Sequence, residues 1–318
     1  MTGTAHLNWS SRLDALCWPT QTKDGLGGYA VPCFVNNLGF HLTTANAFSD
    51  GSIDIWGTVD RQIFQRKVGS GRVWMAPSTG ARLYVHNLGC LTIRMPDWRF
   101  DNVSILPLVD AAICSGNPNL ADLVNLAGDE TEPIPGAHQK ARRYKLPLRR
   151  PHPIRITSEG VCHKATAFPV IMIEGAVKRL TRWFVFDDSL TRFGLDGPLI
   201  HLDEAARRLA IGEITTSAEE GDRLDIDGLG VVTVEAGLWG IDPAERVREA
   251  RGEVEVLNGG QGSIRQCMEA FRAYQRDPLE RNLDVLRQAY EAVPSHLRGY
   301  CGDMDQRDLP IRRALGLA

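Results

Sequence analysis

Residues 71–93 recur, altered but recognisable, at 212–234. At a constant offset of 141, Gly71, Gly80, Arg82, Leu83, Leu88, Gly89 and Thr92 meet Gly212, Gly221, Arg223, Leu224, Leu229, Gly230 and Thr233. Seven identities in 23 ungapped positions exceed the one or two, roughly, that average residue usage supplies. Upstream the offset is 137, pairing Pro32 with Pro169, Asp50 with Asp187, Ser52 with Ser189, Trp56 with Phe193 and Gly57 with Gly194. The four-residue difference is expected in the connecting segment, where insertions are tolerated. A repeat of this kind directs the reading toward two related units before any motif is considered.

The repeated pattern has a physical meaning. Leu83 and Val85 alternate with Arg82, Tyr84 and His86, while Leu224 and Ile226 alternate with Arg223, Asp225 and Asp227, so both copies bury the same phase of a strand. Turn residues at Ser49-Asp50-Gly51-Ser52 and Asp187-Asp188-Ser189 lie between runs rich in Phe, Val, Ile and Trp, which predicts a hairpin at the start of each copy. A short helix follows. Asp60 is placed to cap one carrying Ile63, Phe64 and Val68, and Asp203 one carrying Ala206 and Leu209.

Residues 106–164 read as a connector with a short helix near Leu120–Leu126 and a loop marked by Pro133, Pro135, Gly136, Pro151 and Pro153. From residue 242 the pattern becomes helical. Asp242-Pro243 with Glu245, Ser263 with Gln266, and Asp277-Pro278 with Glu280 each resemble a capping box. The expected fold is therefore α+β: two tandem homologous β-rich domains, each with one short helix, plus a C-terminal helical unit. Boundaries are placed at 1–105, 106–164, 165–241 and 242–318.

The segments Val31-Pro32-Cys33-Phe34-Val35-Asn36 to Asp50-Gly51-Ser52-Ile53-Asp54-Ile55-Trp56-Gly57, and Leu297-Arg298-Gly299-Tyr300-Cys301-Gly302-Asp303-Met304-Asp305 with Pro310-Ile311-Arg312-Arg313, resemble a family of uncharacterised bacterial proteins. The resemblance implies a bacterial, cytoplasmic origin and carries no chemistry.

A formal charge of −3 supplies no global field for a polyanion or a membrane surface, so any such site is local. Apolar runs such as Phe168–Ile173 are far short of the roughly 18 residues of a span. Met1–Pro19 lacks the pattern of a signal peptide, and a cytoplasmic location is expected. Seven scattered cysteines without a CxxC spacing fit reduced thiols. Phosphate-loop, dinucleotide, zinc-protease and nucleophile-elbow patterns are absent, and no metal or cofactor is expected.

Three local features compete for a function. Lys140, Arg142, Arg143, Lys145, Arg149 and Arg150 form a basic stretch that could bind a nucleic acid or protein partner, or could be a solvated interdomain loop. Asp303 and Asp305 with Arg312 could contact a ligand, or could clasp the tail to the body together with Asp308. In the first copy Trp56, Trp74, Tyr84 and His86 could form an aromatic face, or could be covered as core. The leading expectation is a binding or interaction protein that uses the inter-repeat cleft or this aromatic face. The alternative is an enzyme acting on a nucleotide or modified macromolecule with its site at the C-terminal Asp/Arg cluster. The sequence leaves the oligomeric state open.

Overall fold

The computed structural model describes residues 9–125, 149, 151–236, 240–303 and 305–318. The chain is α+β. Helix α1 (Trp9–Leu16) leads into β1 (Trp18–Gln21), β2 (Gly27–Asn36), β3 (Phe40–Phe48), β4 (Ile53–Asp54) and β5 (Thr58–Val59). Helix α2 (Arg61–Gly69), β6 (Val73–Trp74), β7 (Arg82–Val85), β8 (Gly89–Trp98) and α3 (Ile105–Gly116) complete the first half. The second half runs β9 (His152–Ile156), β10 (Cys162–Glu174), β11 (Val177–Phe186), β12 (Leu190–Phe193), β13 (Ile200–His201), α4 (Leu202–Ala210), β14 (Ile214–Thr215), β15 (Arg223–Ile226) and β16 (Gly230–Ala236). Helices α5 (Pro243–Leu257), α6 (Ser263–Arg276), α7 (Glu280–Ala292) and α8 (Leu309–Ala314) follow.

The two halves lay out the same pairings. In the first, β2 pairs antiparallel with β3, β3 parallel with β7, and β7 antiparallel with β8. In the second, β10, β11, β15 and β16 do the same in the same order. The halves then join at both ends, through β8 against β16 and through β1 against β9. Ten strands therefore close on themselves in the order β1-β2-β3-β7-β8-β16-β15-β11-β10-β9. One apolar core draws on both halves, with Leu83, Val85 and Ile93 beside Leu224, Ile226 and Val234.

Strand register relocates the inserted residues. Leu42 faces Val85 and Leu180 faces Ile226, and since Val85 and Ile226 are 141 apart, Leu42 corresponds to Leu180 at an offset of 138. One extra residue thus lies in the β10–β11 hairpin. The other three lie between β12 and β13, where the pair Thr191 and Ile200 encloses eight residues against five between Ile53 and Val59. By this register Phe193 matches Ile55, both 2% exposed, and not Trp56. The sequence match of Trp56 with Phe193 is therefore off by one residue, because a constant offset cannot see an insertion inside a turn.

Other expectations are also corrected. Asp60 caps α2 by accepting from the Ile63 N–H, but in the second half His201, not Asp203, caps α4. Of the three C-terminal caps only Asp242 acts as expected; Gly262 and Leu279 stand at the other two N-cap positions. The connector helix is Ile105–Gly116, which buries Ile105, Leu108, Val109, Ala112 and Ile113 on one face. Residues 120–125 are not helical, and Leu120 and Asp122 take positive φ there.

Candidate functional site

The aromatic face is built by the alternation of β7. Leu83 and Val85 point into the core, which turns Tyr84 and His86 the other way. Parallel pairing with β3 sets His41 opposite Tyr84, and the two rings stack at 4.8 Å between centroids and 15° between planes. Trp56 joins them edge-on to His41 at 5.0 Å. It occupies the turn between β4 and β5 with φ of +52°, a conformation that bulky residues adopt only under constraint, and stays 51% exposed. Arg72 lies 5.9 Å over Trp56, and Arg82 lies 5.8 Å over Tyr84. The result is a continuous strip: Arg72, Trp56, His41, Tyr84, Arg82.

The three rings of this strip, Trp56, His41 and Tyr84, wall a cavity of about 960 Å³ between the two halves, and Arg72 and Arg82 lie outside its lining. Trp18 and Thr20 of β1, His152 of β9, Thr166 of β10 and Arg182 of β11 complete its sides. His296 and Tyr300 reach it from the C-terminal unit. Among the described residues no Asp, Glu or Lys lines it. Four imidazoles do: His41, His86, His152 and His296. Thr20 is 2% exposed and its hydroxyl has no partner among the described residues.

The helical unit is fastened to this cavity by a buried network. Arg246 of α5, with no exposed surface, donates to the carbonyl oxygen of Asn87 at 2.9 Å and pairs with Glu249. Glu249 also binds Nε2 of His296 at 2.9 Å. Thr166 donates to Glu253 at 3.0 Å. Burial holds His86 below the ordinary imidazole value against the opposing pull of Glu249, and raises Glu253 above the ordinary carboxylate value. His86 is thus open to the cavity yet favours its neutral form.

The second half has a corresponding cleft of about 490 Å³ with different chemistry. Register places Arg179 opposite Asp225, where His41 faces Tyr84 in the first half. Asp227 stands in the place of His86 and pairs with Arg182 at 2.9 Å. Arg99 pairs with Asp225 at 2.5 Å, and Arg179 with Asp196 at 3.0 Å. Burial pushes Asp227 above the usual carboxylate range, against the attraction of Arg182.

The remaining candidates lie elsewhere. Trp74 pairs with Phe34 across β6 and β2, packs edge-on to Phe40 and donates to the Gly71 carbonyl, so it is framework and not part of the cleft. Asp303 accepts from the N–H groups of Asp305 and Gln306, pinning its own turn; Asp305 is exposed, and Arg312 donates to the Leu317 carbonyl. Asp308 fastens the tail to α7 by accepting from the Tyr290 O–H at 2.6 Å, with Tyr290 pushed up to about 12 by burial and then by that carboxylate. The expected Asp/Arg clasp is replaced by a Tyr/Asp one. Arg149 pairs with Asp50 at 2.7 Å over the Phe48 ring, so it holds the β3 turn. Lys140, Arg142, Arg143, Lys145 and Arg150 lie outside the described residues. Among the described residues the side chains His163, Asp187 and Asp188 are close enough to share an ion, and Arg155 already pairs with Asp188 at 2.5 Å.

Sequence reasoning missed His41, Arg182, Arg246, Glu249 and His296. The only local signal was the phase of His41, one position out of step with buried Leu42. The others meet through long-range pairing that spacing does not encode.

Two family models match. One, described as Domain of unknown function (DUF7638), covers residues 18–120 and 154–261; the other, Domain of unknown function (DUF7639), covers 262–316. The chain belongs to the DUF7638 family, whose matched stretches span the ten-strand ring and α5. No curated protein and no solved structure matches the chain. No helix among the described residues is long and apolar enough to cross a membrane.

Proposed function

We propose that this chain is a cytoplasmic binding protein whose site is the cleft between its two halves, and that it engages its partner by receiving a planar group on the aromatic wall of the first half. The observation that carries the reading is the contrast between two corresponding clefts. In the second, the outward positions are spent on ion pairs; in the first, the same positions stack rings around a cavity of about 960 Å³, within the range of ligand sites. An exposed Trp56 held at positive φ beside that cavity supports the same reading. The alternative of a catalytic site at Asp303, Asp305 and Arg312 has less support: these residues do not line the cleft, and Asp303 is engaged in its own turn.

The test is a panel of ring-bearing ligands and nucleic acids monitored by tryptophan fluorescence and melting temperature. Binding should be weakened in Tyr84→Ala and unchanged in Asp225→Ala. Ligands that bind equally well to Tyr84→Ala would sink the reading.

A further inference from the structure

Building on that reading, we infer that the planar group is the base of a nucleotide, stacked on the Trp56, His41 and Tyr84 strip with its phosphate drawn to Arg72 and Arg82. Both ends of the strip are guanidinium groups lying over rings, 5.9 Å and 5.8 Å from the centroids. Neither forms an ion pair with a carboxylate among the described residues. Arg72 donates to the Asn36 carbonyl at 2.6 Å, which fixes its position and leaves its charge uncompensated. Among the described residues the walls of the cavity add no acid that would repel a phosphate.

Three rings flanked by guanidinium groups meet both parts of a nucleotide at once. Stacking is indifferent to which base is present, because every base has a π-face, and the flanking cations supply the attraction for the backbone. A metal site is a poor use of the four imidazoles, since no group of three among them brings its ligand atoms within 4.8 Å. The second half lacks the strip: Arg179 and Asp225 replace the stacked pair, and Arg179 is neutralised by Asp196.

The four nucleoside 5′-monophosphates should be titrated against the full chain beside their nucleosides and inorganic phosphate. We expect each monophosphate to bind about tenfold more tightly than its nucleoside, the scale of two exposed charge contacts. Phosphate alone should bind weakly. In the double variant Arg72→Gln with Arg82→Gln the ratio of monophosphate to nucleoside affinity should fall from about ten to about one. An eight-residue oligoribonucleotide distinguishes the source: binding well beyond that of the monophosphate assigns the site to a strand, and equal binding assigns it to free nucleotides. Equal affinity for nucleoside and monophosphate overturns the phosphate assignment and leaves the cleft reading standing. Binding of other ring ligands but no nucleoside overturns the inference alone. No Tyr84-dependent binding of any ring-bearing compound overturns both.

Discussion

The two clefts share a backbone and differ in what their outward side chains do. Positions that hold His41, Tyr84 and His86 in the first half hold Arg179, Asp225 and Asp227 in the second. One cleft is stitched by carboxylate–guanidinium pairs; the other is walled by rings that stack on one another and leave Trp56 half exposed. The helical unit sharpens the difference. In the second half the side chain of Arg99 donates to the carbonyl of Gly228 at 2.9 Å; in the first the corresponding carbonyl, that of Asn87, is taken by Arg246 from α5. The same backbone thus supports a cleft crossed by ion pairs and a larger one walled by rings, and the difference rests on a few side chains.

The largest expected effect breaks the ion-paired cleft. Asp227→Ala leaves Arg182 in a site where its side chain is 13% exposed, and should cost about 3–5 kcal/mol, read by urea unfolding. His86→Ala at the corresponding position should cost below about 1 kcal/mol. Equal losses would mean that the two clefts are not specialised as described. Replacing both partners, with Arg182→Met and Asp227→Leu, should recover stability to within about 1 kcal/mol of the parent or exceed it, since burial disfavours the Asp227 carboxylate.

A smaller effect concerns binding. Tyr84→Ala should weaken whatever ring the cleft receives by about 1–3 kcal/mol, the range for one stacked base, measured by fluorescence titration. Grafting the second half's chemistry onto the first, with His41→Arg and Tyr84→Asp, should abolish binding and keep the fold.

The pH responses should have opposite signs. His86 has a depressed value, so the unfolded chain binds its proton first and stability is lost as pH falls from about 6.5. Asp227 has a raised value, so the folded chain binds its proton first and stability is gained as pH falls through the range above 3.8. Relative to the parent, His86→Gln should grow more stable on acidification and Asp227→Asn less stable, in melting temperatures across pH 4–8. Slopes of the same sign would contradict the assigned surroundings. The smallest effect is at the rim: Arg99→Ala, whose side chain is half exposed, should cost under about 1 kcal/mol.

The α+β class, the β-rich halves and the outward phase of Tyr84 and His86 were legible because alternation and caps are local signals. Trp56 was singled out, yet its supposed partner Phe193 is core, since an insertion inside a turn shifts register without altering composition. Ser263 and Asp277 looked like caps but were displaced by Gly262 and Leu279, where backbone geometry decides the first turn. The cleft itself was less readable. His41 meets Tyr84 across 43 residues, and Glu249 meets His296 through helix packing, so their neighbourhood exists only once the strands have paired.

The closed ring also sets a timetable for synthesis. Strand β8 ends at Trp98 but its partner β16 is complete only at Ala236, 138 residues later, and β1 waits likewise for β9. At about 5–20 residues per second, the edge of β8 stays bare for roughly 7–28 s after it leaves the ribosome. During that interval the nascent first half carries an unpaired strand that a neighbouring chain on the same message could capture. A chain built this way depends on being finished quickly or shielded while it waits, and stalls between residues 98 and 236 should drive it into aggregates more readily than stalls after β16.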